Sequence, residues 1–142
     1  MSVRISRRTY RYRHLSCSHD PPDAHAGLGA LGANDNGRVA FHENNDKAGS
    51  TDDMGSLTTL YTDKAITCLA DKRDPNKPFL LYVAHTMMHT IIDASDRFRG
   101  KSAGGLYGDV VEEFDYETGR LLDALDEHGL SDNTLVIYIT GD

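Results

Sequence analysis

Cysteine is scarce in this sequence. Only Cys17 and Cys68 occur, far apart and without CxxC spacing, which excludes a zinc site of the paired-cysteine type and a disulfide framework; both are read as free thiols. Long hydrophobic runs are missing as well. No apolar stretch approaches the roughly 18 residues that a membrane span requires, so no membrane partner is expected. Positive charge is in deficit, with 15 Lys and Arg against 22 Asp and Glu and a formal charge of −7. A phosphate-tracking surface needs the opposite balance, so nucleic acid is not expected as a partner. What is present, in 142 residues of which 39% are hydrophobic, suffices for one soluble domain of modest core.

The first 48 residues read as a low-order, unassigned segment. "MSVRISRRTYRYRHLS" carries five arginines and no acid. Arg7-Arg8 resembles a twin-arginine export signal, but the apolar region such a signal needs does not follow. The next stretch, "CSHDPPDAHAGLGALGANDNG", is rich in Gly, Ala, Asp and Pro, a composition that favours disorder over a packed core. A disordered N-terminus is therefore expected.

From Ser56 the pattern changes. Ser56 is a plausible N-cap for a helix with Leu57, Leu60, Tyr61, Ala65 and Leu69 on one side and Thr62, Lys64 and Asp71 on the other. Asp74-Pro75-Asn76-Lys77-Pro78 breaks it. "FLLYVA", Phe79 to Ala84, is a continuous apolar run between turn signals and predicts a buried strand. Farther on, Tyr107, Val110, Val111, Phe114, Thr118, Leu122 and Leu125 fall at helical spacing, and acids occupy the remaining faces. That acidic surface, Asp109 to Glu127, reads as solvated rather than metal-binding. Gly129 supplies a left-handed stop and Ser131-Asp132-Asn133 a turn before "TLVIYI", Thr134 to Ile139, predicts a second buried strand. Helix, strand, helix, strand implies an α/β fold in which a βαβ crossover builds part of a parallel sheet.

In such sheets ligands bind at the carboxyl ends of the strands. His85 and His89 follow the first predicted strand, and Asp142 follows the second. An imidazole titrating near pH ~6.5 suits proton donation, and a carboxylate suits a hard cation. His85 is expected to cap the strand or pack under the loop. Lys101 and Arg97 could attract an anion, though a charged loop is more often simply solvated.

The combination of "AHTMMH", "GKSAGGLYGD" and "VEEFDYETGRLLDALDEHGLSDNTLVI" in this order resembles the middle of the catalytic domain of arylsulfatase-like enzymes, in the alkaline phosphatase superfamily. "STDDMGSLTTLYTDKAITCLADK" resembles the helical stretch before it. The resemblance runs from about Gly49 to Asp142 and divides the chain into residues 1–48 and a partial sulfatase domain over 49–142. It implies a partial parallel-sheet sandwich and the hydrolysis of sulfate esters, with a sulfated small molecule or carbohydrate as substrate. It also implies that His89 hydrogen-bonds or protonates the sulfate ester oxygens and that Asp142 is a ligand of Ca²⁺. Such enzymes are commonly exported.

The sequence departs from the family pattern in several places. Met88 stands where Pro is common, and Thr90-Ile91-Ile92 replaces a Val-Pro-Leu type segment. "VIYITGD" reaches its aspartate one residue later than the usual "DNG" ending. Formylglycine, whose hydrated aldehyde supplies the nucleophilic oxygen in the family, arises from a CxPSR-like motif. Neither Cys17, followed by Ser-His-Asp-Pro, nor Cys68, followed by Leu-Ala-Asp-Lys, matches it. The cation site is correspondingly incomplete, and the isolated chain is expected to be inactive. Two alternatives are a phosphatase or phosphodiesterase of the same superfamily and a non-catalytic interaction module.

Overall fold

The computed structural model describes residues 13–18, 26–35, 38–43, 46–88 and 92–139, with side chains from residue 48 onward. Strands β1 (Arg13–Ser18), β2 (Ala26–Asp35), β3 (Arg38–Glu43) and β4 (Asp46–Thr51) come first. A 3₁₀ turn, Met54–Ser56, leads into helix α1 (Leu57–Thr67) and a wider π-type turn, Cys68–Lys72. Strand β5 (Leu80–Val83), helix α2 (Gly105–Glu127) and a 3₁₀ turn, Ser131–Asn133, complete the order. The chain is thus a mixed helix and strand structure.

The five strands form one sheet in the order β4-β3-β2-β1-β5. Every pairing in it is antiparallel. This differs from the parallel βαβ unit read from the sequence. β5 pairs with β1, in a register running from Leu15 opposite Val83 to Ser18 opposite Leu80. Its partner therefore comes from the N-terminal segment read as low-order. Within the segment assigned low order, residues 1–12 lie outside the described residues, and the described backbone from Arg13 onward runs in strands β1 to β4.

The second predicted strand is corrected. Residues 134–139 carry no strand, and Leu135, Ile137 and Ile139 are 85%, 70% and 82% exposed. Among the described residues no strand pairs with this segment, and a parallel strand buried on both faces needs such neighbours. β5 is present, but only one of its faces is covered. Leu81 and Val83 pack toward α1, whereas Leu80 and Tyr82 stand exposed. Alternation of burial is what a strand with one solvated face produces.

Helix α1 begins where the sequence indicates, and Leu57, Tyr61, Ala65 and Leu69 are buried as expected. Thr58 and Thr62 are buried too, and Thr62 donates to the Thr58 carbonyl at 3.2 Å. Ser56 stands at the helix start, but its hydroxyl donates to the Asp53 carbonyl at 2.8 Å instead of accepting from a helical N–H. Cys68 is disulfide-bonded rather than the free thiol expected. The Cys17 side chain lies outside the described residues.

Helix α2 ends as the sequence predicts. Gly129 adopts φ +64, the Leu130 N–H reaches the Leu125 carbonyl at 2.8 Å, and the Gly129 N–H reaches Asp126 at 2.9 Å. This pair of bonds is a Schellman stop, which satisfies the last carbonyls of the helix and favours a residue without Cβ at the left-handed position. The buried face of α2 is different from the expected one. Val110 and Leu125 are buried, but Tyr107, Val111 and Leu122 are exposed, while Asp109, Glu113 and Glu117 are almost fully buried. The acidic residues read as solvated are, at these three positions, interior groups.

Candidate functional site

β5 ends at Val83, and the chain then passes His85 between the two helices. The imidazole meets Tyr61 of α1 edge-on, with centroids 5.8 Å apart, and Phe114 of α2 at 4.9 Å. Phe114 in turn contacts Tyr138 at 5.8 Å. This aromatic setting explains the titration of His85. Desolvation disfavours the imidazolium and lowers the pKa from 6.5 to about 4, so the ring is neutral at neutral pH. His85 packs between α1 and α2.

Beyond His85 the chain enters a second apolar cluster. Met87, Ala94 and Val110 are buried together, with Met54, Met88, Ile92 and Phe98 packed around them. His89 and Asp142, the two site residues taken from the sequence, lie outside the described residues. Both flanks of residues 89–91 nevertheless rest on this one cluster, through Met87 and Met88 on one side and Ile92 and Ala94 on the other.

The loop over 93–104 is then fastened to α2 by carboxylates. Asp109 accepts the backbone N–H groups of Gly100 at 2.7 Å, Lys101 at 3.0 Å and Ser102 at 2.7 Å. These bonds, led by those from Ser102 and Gly100, hold the Asp109 pKa below the usual carboxylate range. One turn later, Glu113 accepts the Ser95 N–H at 2.9 Å. The same strip continues through Glu117, which accepts from the Thr59 hydroxyl at 3.2 Å and from Arg120 at 2.7 Å. Arg120 also bridges to Asp63 of α1 at 2.7 Å, and that hydrogen bond is the main reason its pKa is raised.

From the opposite side, Gly55 presses on the same loop. A Cβ at Gly55 would lie 2.4 Å from the Ala94 carbonyl oxygen, so the close approach requires glycine. The basic residues considered for anion attraction are engaged locally. The Arg97 guanidinium lies over the Tyr116 ring at 3.9 Å, and Lys101 donates to the Arg97 carbonyl. Asp109 and Glu113 were missed as structural anchors because their partners are backbone N–H groups, which leave no letter in a sequence. The available signal was the Gly-Lys-Ser run itself, a turn rich in free N–H groups shortly before an acid on a helix.

Among the described residues, no three His, Cys, Asp or Glu side chains converge as a metal site. No described helix is long and apolar enough to cross a membrane.

The ordering of these elements, a strand exit with histidines followed by an anchored loop and a long helix, belongs to a chain that the sulfatase family model matches over residues 8–142. The protein is a member of the sulfatase family, and the match begins well upstream of Gly49. Steryl-sulfatase of Mus musculus is 46% identical over 90 residues, which is 63% of this chain and 14% of that protein. N-acetylgalactosamine-6-sulfatase of Mus musculus is 39% identical over 83 residues, 58% of this chain and 16% of that protein. Arylsulfatase H of Canis lupus familiaris is 48% identical over 65 residues, 46% of this chain and 11% of that protein. The chain thus aligns with less than one-fifth of the length of each of these curated relatives. No solved structure matches it.

Proposed function

We propose that this chain carries the substrate-side histidine of a sulfatase, an enzyme that cleaves sulfate esters to an alcohol or phenol and sulfate. The observation that carries the reading is the family match across residues 8–142. His89 is the proton donor. Its imidazolium donates a hydrogen bond to a sulfate ester oxygen and passes a proton to the leaving oxygen as the S–O bond breaks, a role an imidazole fills near neutral pH. His85, buried and neutral, is the less suitable donor. The substrate is a sulfated small molecule or carbohydrate.

Asp142 is assigned to a Ca²⁺ ion on the resemblance alone. Among the described residues no three His, Cys, Asp or Glu side chains converge as a cation site. In the family the formylglycine supplies the attacking oxygen; neither cysteine of this chain has the motif that produces it. The 142-residue chain on its own therefore binds the sulfate group without turnover.

Two measurements test this. The His89 ring resonances should shift on titration with p-nitrophenyl sulfate, and a spectrum indifferent to it defeats the sulfatase assignment. Hydrolysis of the same ester with added Ca²⁺ should not exceed that of His89→Ala; a clear excess would show that the chain assembles a working nucleophile.

A further inference from the structure

We propose that the outward face of α2, together with the extended segment over 134–139, is a docking surface for a basic amphipathic helix of another polypeptide. This is independent of the role assigned to His89. Val111 follows Tyr107 by four residues and Leu122 follows Val111 by eleven, spacings that bring all three onto one face of the helix. Sequence periodicity turns this apolar row inward, yet in the structure all three side chains are exposed. The buried face carries Asp109, Glu113 and Glu117 instead, held by loop N–H groups, Thr59 and Arg120. The segment over 134–139 lies along the exposed row, because Tyr138 meets Phe114 with ring centroids 5.8 Å apart. Leu135, Ile137 and Ile139 stand farthest into solvent and extend the apolar surface, while Val136 and Tyr138 are about half exposed.

The border of this surface carries charge of one sign. Asp115 and Asp126 stand four residues beyond Val111 and Leu122, about 40° farther round the helix, and both are exposed. Burial, and after it the Asp115 charge, raises the Tyr138 phenol above its usual range, which sets that carboxylate near the apolar segment. The single basic residue of α2, Arg120, is already bound to Glu117 and Asp63. A partner therefore needs apolar side chains for the row and Lys or Arg along its flank, the pattern of a basic amphipathic helix. A second copy of this chain brings a border of the same sign, on a protein of formal charge −7, and like charges across an interface cost affinity. Length and area suit the same occupant. Tyr107 to Leu122 spans about 22 Å of helix. The eight large apolar side chains of the row and the segment are all more than a third exposed, an area on the order of the 800 Å² that each partner contributes to a specific interface.

The test uses the 142-residue chain and a labelled synthetic Leu/Lys peptide of about 14 residues whose leucines repeat at helical spacing. Fluorescence anisotropy compares it with two controls, a scrambled peptide of the same composition and a peptide with Glu in place of each Lys. The Leu/Lys peptide should bind with a Kd in the micromolar range, and both controls at least about tenfold more weakly. Val111→Ser combined with Leu122→Ser should weaken binding about tenfold through the lost apolar contacts. Asp115→Asn combined with Asp126→Asn should weaken it about threefold at low salt and hardly at all in about 0.5 M salt, where exposed charges are screened. Asp53→Asn, ahead of α1 and away from this face, should leave it unchanged. All of these positions are exposed, and circular dichroism checks that the helices persist; should the double serine variant fail to fold, Val111→Ser alone carries the comparison. Equal binding of the scrambled peptide, which has the charge without the face, overturns the proposal. So does equal binding of the Glu peptide, the absence of Leu/Lys binding, or binding that the serine variants leave intact. A wild-type chain that dimerises and excludes the peptide overturns it in favour of a second copy.

Discussion

Lowering the pH should charge His85 at the expense of the fold. The ring is packed against Tyr61 and Phe114, and its pKa in the native state is about 4. In the unfolded chain the same group titrates near 6.5. Between these values the unfolded chain binds a proton that the native state refuses, so stability rises with pH across this window. The His85 contribution is fully present above about pH 6.5 and is lost as the pH falls toward about 4. A separation of two to three pH units at about 1.4 kcal/mol per unit amounts to roughly 3 kcal/mol, a large share of the 5 to 15 kcal/mol that is typical of a domain. Replacing His85 by Phe keeps an aromatic ring of similar size between the helices and removes the titration. Urea denaturation of both proteins from about pH 7 to about pH 4 should show the wild type losing roughly 3 kcal/mol relative to His85→Phe. Other titrating groups are common to the two proteins and cancel in the difference. A stability difference that is independent of pH would refute the reasoning.

Three further outcomes follow from the geometry. Gly55→Ala places a methyl group 2.4 Å from the Ala94 oxygen, so thermal or urea melts should show a loss of about 1–3 kcal/mol, the usual range for overpacking. Arg120→Met removes the guanidinium that pairs with Glu117 at 2.7 Å and leaves that buried carboxylate with the Thr59 hydroxyl but no counter-charge; the loss should be about 3 kcal/mol, and Arg120→Met combined with Glu117→Met should recover much of it, as measured by a double-mutant cycle. Ca²⁺ added to the isolated chain should bind no tighter than about millimolar, because affinity depends on the number of oxygen ligands; calorimetry showing a micromolar site abolished by Asp142→Asn would mean that other residues complete a shell.

The two helices were legible because their boundaries are written in local chemistry. Pro75 and Pro78 fall after the α1 segment, and the left-handed Gly129 closes α2 with both bonds of its stop in place. Which face of α2 turns inward was not legible. Periodicity assumes that apolar residues seek the interior, yet Asp109 and Glu113 are drawn inward by main-chain donors, and Glu117 by Arg120 and Thr59. The partner of β5 was equally hidden. Pairing with β1 joins main-chain groups of Leu80–Val83 to those of Arg13–Ser18, a polar and basic stretch whose side chains carry little strand signal. Of the site, the strand exit and the buried place of His85 could be read beforehand, whereas the anchoring of the following loop could not.

The bare segment at the end of α2 has a practical consequence for handling the protein. Leu135, Val136, Ile137, Tyr138 and Ile139 form an uncharged run of β-branched, aliphatic and aromatic side chains without proline, all more than half exposed. Leu80 and Tyr82 on the edge strand β5 add a second apolar strip. Short segments of this kind, carrying strand propensity without strand partners, are templates for addition of like segments from neighbouring molecules. Raising the protein concentration should therefore favour β-rich aggregates nucleated at Leu135–Ile139, with no prior unfolding of the helices required.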